Sequence, residues 1–192
     1  AIFKKEAAFY KKRGGNVLWV GHPMIDLTKK LPLKKDARTI LNLRPNQNIL
    51  LLMPASRPQE LRYVLPTFMK AAKKLQQKYP SLVVYIPSCR DAFDEIFKKA
   101  FRKYQVKGLV ISQKDSAKLK PYIYSLTKIA FCKSGTVNME LALYGIPQIV
   151  GYRVSRVTAF IAKKILNFKV RFISPVNLLV NKLIIPEFVQ RE

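Results

Sequence analysis

Ile129-Ala130-Phe131-Cys132-Lys133-Ser134-Gly135-Thr136-Val137-Asn138-Met139-Glu140 is the stretch on which the fold of this chain turns. Its first four residues are an apolar run of strand length. Val137 to Tyr144 then predicts a helix, with Gly145 as its C′ residue and Pro147 as a stop. Three small residues, Ser134, Gly135 and Thr136, stand where the strand hands over to the helix. Small side chains let a ligand approach the backbone, and a helix beginning there aims N–H groups and the positive end of its dipole at that ligand. The arrangement suits a phosphate or diphosphate. Glu140 follows one turn inside the helix, where a carboxylate can accept two hydrogen bonds from a ribose diol. The same letters also read as an ordinary N-cap followed by a surface charge, because many strand–helix turns share them.

Working outward, apolar runs alternate with helical periods. Val17–Val20, Ile49–Pro54, Leu82–Ile86, Leu109–Ser112, Ile129–Cys132 and Gln148–Gly151 are expected strands. Helices are expected over about 60–79, 91–104, 116–126, 137–144 and 155–168. The strands are continuous apolar runs without alternation, the mark of strands covered on both faces. The expected class is therefore α/β, a mainly parallel, Rossmann-like sheet with helices on both faces. No internal repeat or low-complexity segment interrupts it, and the basic, turn-rich stretch Thr28–Asn48 has the least pattern. Open parallel sheets gather ligands at the carboxyl ends of their strands, and the turns at 54–57 and 133–136 both fall there.

Composition narrows the classes. The 192 residues are 49% hydrophobic, enough for a substantial core. No apolar run approaches the roughly 18 residues that cross a bilayer. Cys89 and Cys132 lie in unrelated contexts, which argues against a disulfide framework and for a reducing compartment. The chain begins at Ala1 without a signal-peptide pattern and is read as a piece of a longer protein or a processed product. With 36 Lys and Arg against 11 Asp and Glu, the formal net charge is +25. Such a field attracts polyanions: anionic lipid, phosphorylated substrates or nucleic acid. The lysines fall as pairs on the polar faces of helices, and no nucleic-acid motif accompanies them, so no nucleic-acid partner is expected. A basic nucleic-acid-binding module remains the alternative that charge by itself would suggest.

Other strand ends carry further candidates. In Met53-Pro54-Ala55-Ser56-Arg57-Pro58-Gln59-Glu60, Ser56 and Arg57 emerge just before a helix. The planar fork of Arg57 matches a pair of diphosphate oxygens and would stabilise a departing nucleoside diphosphate. The competing reading is a surface arginine paired with Glu60. Tyr152 and Arg153 follow Gly151 at another strand end. Asn177 sits in a proline-punctuated loop. His22, the only histidine, follows the first expected strand and reads more readily as a loop hydrogen-bonder than as a catalyst. No Walker loop, metal-ligand spacing or paired-carboxylate motif is present. The stretch from Ser155 to Phe168 has helical period, with Val157, Phe160, Ile161, Ile165 and Phe168 on one face. Arg156, Lys163, Lys164, Lys169 and Arg171 crowd around it, as in a helix lying on anionic lipid or one covering the sheet.

Taken in order, Gly21-His22-Pro23, Pro54 to Glu60, Lys133 to Thr136 with Glu140, Tyr152-Arg153-Val154-Ser155, Pro175-Val176-Asn177-Leu178 and Ile185-Pro186-Glu187 resemble the lipid-A-disaccharide synthases. These form glycosyltransferase family 19, and the likeness is greatest to their cyanobacterial or plastid-like members. It runs from about Phe3 to the end of the chain.

The resemblance implies a GT-B glycosyltransferase of which residues 1–192 form a single Rossmann-like, UDP-sugar donor-binding domain. The acceptor domain and the general base would belong to an N-terminal half absent from this chain. It implies transfer of 2,3-diacylglucosamine from its UDP derivative to 2,3-diacylglucosamine 1-phosphate, with inversion and without cofactor or metal; another UDP-N-acetylglucosamine-dependent GT-B enzyme is the alternative that the shared fold leaves open. Arg57 would be catalytic. Ser56, Arg57, Ser134, Gly135, Thr136, Glu140, Tyr152, Arg153 and Asn177 would bind the UDP-sugar. The implied partners are that donor, an acylated glucosamine phosphate acceptor, an anionic membrane surface and a second copy in a homodimer. The implied location is the cytoplasm, peripheral on the inner membrane or its plastid counterpart.

Overall fold

The computed structural model describes residues 1–28, 30–155 and 171–190. The chain separates into two compact units, Ala1–Lys30 and Leu31–Glu192. The amphipathic stretch expected over 155–168 lies, from Arg156 onward, outside the described residues.

In the first unit, α1 spans Lys4–Lys11 and α2 spans Pro23–Leu27. The strand expected at Val17–Val20 does not form. A strand needs a neighbour offering alternating donors and acceptors. Among the described residues only Ala1 does so: its ammonium donates to the Leu18 carbonyl at 2.7 Å, and the Val20 N–H donates to the Ala1 carbonyl at 3.2 Å. His22 consequently follows no strand. It is the N-cap of α2, its Nδ1 accepting from the Met24 N–H at 3.2 Å. Pro23 suits the first helical position because its missing N–H would have gone unbonded there.

The second unit is built on β1 (Asn48–Met53), β2 (Leu82–Pro87), β3 (Gly108–Ile111), β4 (Thr127–Lys133), β5 (Gln148–Tyr152) and β6 (Glu187–Val189). Its helices are α3 (Lys34–Ile40), α4 (Pro58–Lys78), α5 (Asp94–Tyr104), α6 (Gln113–Leu126), α7 (Thr136–Leu143) and α8 (Pro175–Val180). The strands pair in parallel in the order β3-β2-β1-β4-β5-β6. This is the Rossmann order, which reverses direction between β1 and β4.

Alternation along β1 divides the core in two. Leu50 and Leu52 face α4 and α5, packing with Leu61, Val64, Phe68, Met69 and Phe97. Ile49 and Leu51 face the other way, toward Ala37, Ile123, Leu126 and Leu141 of α3, α6 and α7. Helices on both faces follow, as the continuous apolar strands require. Gln76, buried near the end of α4, donates to the carbonyls of Leu82 and Lys107 and accepts from the Lys107 N–H, tying the helix to β2 and to the approach to β3. At Gly151 a Cβ would stand 2.6 Å from the Phe68 ring, so a side chain at the end of β5 would push α4 off the sheet.

The predicted end of α7 is realised. Gly145 takes φ +65°, its N–H donates to the Ala142 carbonyl, and the Ile146 N–H donates to Leu141. Leu141 and Ile146 are buried in the same cluster. This is a Schellman stop with its apolar contact. The helix expected from Ser116 begins earlier, at Gln113, because Ser112 caps it: the Ser112 hydroxyl accepts from the Asp115 N–H and donates to the Asp115 carboxylate. No helix among the described residues is long and apolar enough to cross a membrane.

Candidate donor site at the strand-order reversal

Where the strand order reverses, the helices on either side diverge and leave a crevice at the carboxyl ends of β1 and β4. The register aligns Met53 with Cys132. The turn Pro54–Arg57 and the turn Lys133–Thr136 therefore leave the sheet side by side. The next strand aligns Gly151 with Lys133, so Tyr152 and Arg153 follow one position further along. Three of the groups expected from sequence thus converge at one edge.

Arg57 is the N-cap of α4 and is exposed, as is Ser56. Arg57 does not pair with Glu60, as the competing reading expected. Glu60 instead bonds Lys133, Oε1 to Nζ at 2.7 Å, while its Oε2 is buried without a hydrogen-bond partner. Lys133 Nζ also lies 5.9 Å from the centroid of the Tyr152 ring. A cleft of about 540 Å³ opens beside this pair, and its lining includes Arg57, Glu60, Arg62, Tyr152 and Arg153. A cleft lined by three arginines favours an anionic occupant. Arg153 also reaches the Thr67 hydroxyl of α4 at 3.4 Å.

Beneath the crevice a polar network fixes the Ser134–Thr136 turn. Asn138 is fully buried. Its Oδ1 accepts from the Gly135 N–H at 2.9 Å, and its Nδ2 donates to Cys132 Sγ and to Gln148 Oε1. Gln148 returns a bond to the Asn138 carbonyl. Burial pushes the Cys132 thiol up to about 12, with the Asn138 hydrogen bond acting in the opposite sense, so the sulfur stays a neutral acceptor. The Ser134 hydroxyl donates to the Ile173 carbonyl. The N–H groups that open α7, at Thr136 and Val137, project beyond the helix end toward the crevice by the geometry of the helix itself.

Glu140 is half-buried one turn into α7 and is not a plain surface charge. Its Oε1 meets Lys120 of α6 at 2.6 Å. Tyr124 lies close by, its phenol held above its ordinary range by burial and then by the Glu140 carboxylate.

Asn177 does not join this constellation. It is completely buried. Its Nδ2 donates to the Ile185 carbonyl and to Glu187 Oε1, and its Oδ1 accepts from the N–H groups of Ile184 and Ile185. The amide is committed to holding the loop before β6. Glu187 in turn accepts from the N–H groups of Ile173 and Ser174, the residues that lead into α8. His22 belongs to the first unit.

Reading the residues singly passed over Lys133, Asn138, Gln148 and Lys120. Asn138 and Gln148 did carry a signal, an amide set inside an otherwise apolar helix and strand. Among the described residues no cluster of three or more His, Cys, Asp or Glu side chains is arranged to hold a metal ion.

Known proteins resemble the chain in the same terms. The structure of E. coli ADP-heptose lps heptosyltransferase II superposes with a TM-score of 0.52 at 12% identity, covering 64% of this chain and 38% of that one. The structure of WaaG, a glycosyltransferase involved in lipopolysaccharide biosynthesis, gives 0.52 at 13% identity, over 68% and 35%. At such identities the likeness concerns the fold alone, and it defines the class: a Rossmann-like α/β domain, as in part of each of these two proteins.

The family follows from sequence. The family model for lipid-A-disaccharide synthetase matches residues 1–192. The lipid-A-disaccharide synthase of Prochlorococcus marinus (strain MIT 9313) is 50% identical over 192 residues, all of this chain and 49% of the relative. That of Gloeothece citriformis (strain PCC 7424) is 38% identical over 190 residues, or 99% and 48%. The chain belongs to the lipid-A-disaccharide synthase family and spans about half the length of the curated relatives it matches.

Proposed function

We propose that this chain is the donor-binding half of a glycosyltransferase of lipid A synthesis. The donor is UDP-2,3-diacylglucosamine, the acceptor 2,3-diacylglucosamine 1-phosphate, and the products the tetraacyl disaccharide 1-phosphate and UDP. The observation that carries this reading is the convergence of the Ser56–Arg57, Ser134–Thr136 and Tyr152–Arg153 turns on the one crevice where the strand order reverses.

Each group has a task. The Ser134-Gly135-Thr136 backbone and the start of α7 receive the diphosphate, and Glu140 accepts from the ribose hydroxyls. Arg57 neutralises the charge that grows on UDP as the glycosidic bond breaks, so it acts more on the transition state than on the bound donor. Arg153 and Tyr152 border the cleft on the β5 side. Asn177 serves indirectly: it bonds Glu187, whose carboxylate holds Ile173, the residue whose carbonyl receives the Ser134 hydroxyl. The general base would come from the half of the relatives that this chain does not match. Because donor and acceptor are acylated, the reaction would take place at an anionic membrane face.

Calorimetric titration with UDP tests the donor reading, which predicts saturable binding that survives moderate salt. Salt-sensitive binding to RNA with no response to UDP would replace it with the nucleic-acid alternative. In the full-length protein Arg57→Ala is expected to lower kcat by about 10²–10³, the scale of losing one electrostatic stabiliser. Arg57→Lys should recover only part, since the planar fork is lost. Full activity in both variants would return Arg57 to the surface.

A further inference from the structure

The roles just given leave Lys133 and Glu60 without a task. Lys133 closes the central strand β4 and reaches across the mouth of the crevice to the first turn of α4. The two side chains are 21% and 15% exposed, so the pair is held largely out of water. Removing two charges from water is costly, and the cost is offset only when the remaining lone pairs and protons are satisfied. Here one carboxylate oxygen is buried with no partner. As a device for stability the pair is therefore poor. As a device for holding a cation it is apt: an ammonium has three N–H donors, and the bond to Glu60 occupies one. The ammonium lies between Glu60 and the Tyr152 ring, both of which line the cleft, and the Ser134-Gly135-Thr136 turn follows Lys133 directly in the chain. An anion seated on that turn would meet the opening of α7 and this cation together.

We propose that Lys133 binds the diphosphate of the nucleotide donor, anchored over the crevice by Glu60. The proposal rests on the donor reading of the preceding section and adds to it a residue outside the binding set expected from sequence. The test compares wild type, Lys133→Met and Lys133→Arg, titrated with UDP and with uridine, the latter followed by ligand-observed NMR. Lys133→Met keeps an unbranched stem of similar length and removes the charge. It is expected to weaken UDP binding about 10–100-fold, the worth of one charge-assisted hydrogen bond. Uridine binding should stay within about twofold, and Lys133→Arg should restore most of the UDP affinity. Unchanged UDP affinity in Lys133→Met would overturn the proposal. So would an equal loss for UDP and uridine, which would mark the pair as structural. Failure of the wild-type protein to bind UDP would instead bring down the donor reading, and this proposal with it.

Discussion

Gly135 separates a ligand's requirement from the fold's. Its φ of 169° is extended backbone that any residue adopts, and a Cβ built on it meets no heavy atom within 4 Å. Neither strain nor packing calls for glycine there; the space above it is where the diphosphate is proposed to sit. Gly135→Ala is expected to leave the melting temperature unchanged or raise it by about 2 °C, because alanine lowers the entropy of the unfolded chain. The same change should weaken UDP binding about tenfold, or roughly 1.4 kcal/mol. Glu140 provides the companion measurement. Its loss leaves Lys120, which is 38% exposed, to water, so little stability should be lost. Glu140→Ala should cost roughly 1–3 kcal/mol of UDP affinity through loss of charge-assisted bonds. It should also abolish discrimination between UDP and 2′-deoxy-UDP. Calorimetry on both variants with both nucleotides would check this, and an unchanged affinity would remove Glu140 from the site.

At the scale of elements, the connection into α8 and β6 is organised by two side chains. The Glu187 carboxylate gathers the N–H groups of Ile173 and Ser174 and the Asn177 amide, all within 2.8 Å. That fixes Ile173, whose carbonyl receives the Ser134 hydroxyl of the turn after β4. An element beyond β5 thus helps to hold a turn that follows β4. Glu187→Ala strands three donors and should destabilise the protein by about 2–3 kcal/mol in urea denaturation. Asn177→Ala acts on the same network, so the double variant should lose less than the sum of the single losses. Strict additivity would show that the two side chains act independently.

The whole molecule is defined by its charge of +25. Pairs such as Lys34-Lys35 and Lys98-Lys99 are exposed on their helices, so the field faces solvent. Association with anionic vesicles follows as a proposal, with each basic residue near the surface adding on the order of 1 kcal/mol, reduced by salt. Co-sedimentation with anionic liposomes should be strong at low ionic strength and lost at high salt. Lys163→Glu combined with Lys164→Glu should weaken it. Equal binding to neutral liposomes would point to apolar burial, and no binding to either would limit the charge to solubility and to the attraction of anionic substrates.

The parallel α/β class, the turn at Ser134–Thr136 and the stop at Gly145 were legible in the sequence because each depends on the residues within it. Buried strands must be apolar throughout, a tight strand-to-helix turn favours small residues, and a helix that ends in the left-handed region favours glycine. Val17–Val20 shows the limit of such reasoning: it has the residues of a strand and lacks the neighbour that would make it one. Glu187–Val189 shows the converse, three residues without a pattern that become a strand because β5 offers an edge. Tertiary structure decided that β1 lies beside β4, and hence that the turns at 54–57 and 133–136 open on one crevice although some 80 residues part them. It also turned Glu60 toward Lys133 and closed Asn177 into the loop before β6. Composition and period record only which residues must be buried and in what local shape. Partners distant in the chain are chosen by strand order and packing, which depend on the whole chain at once.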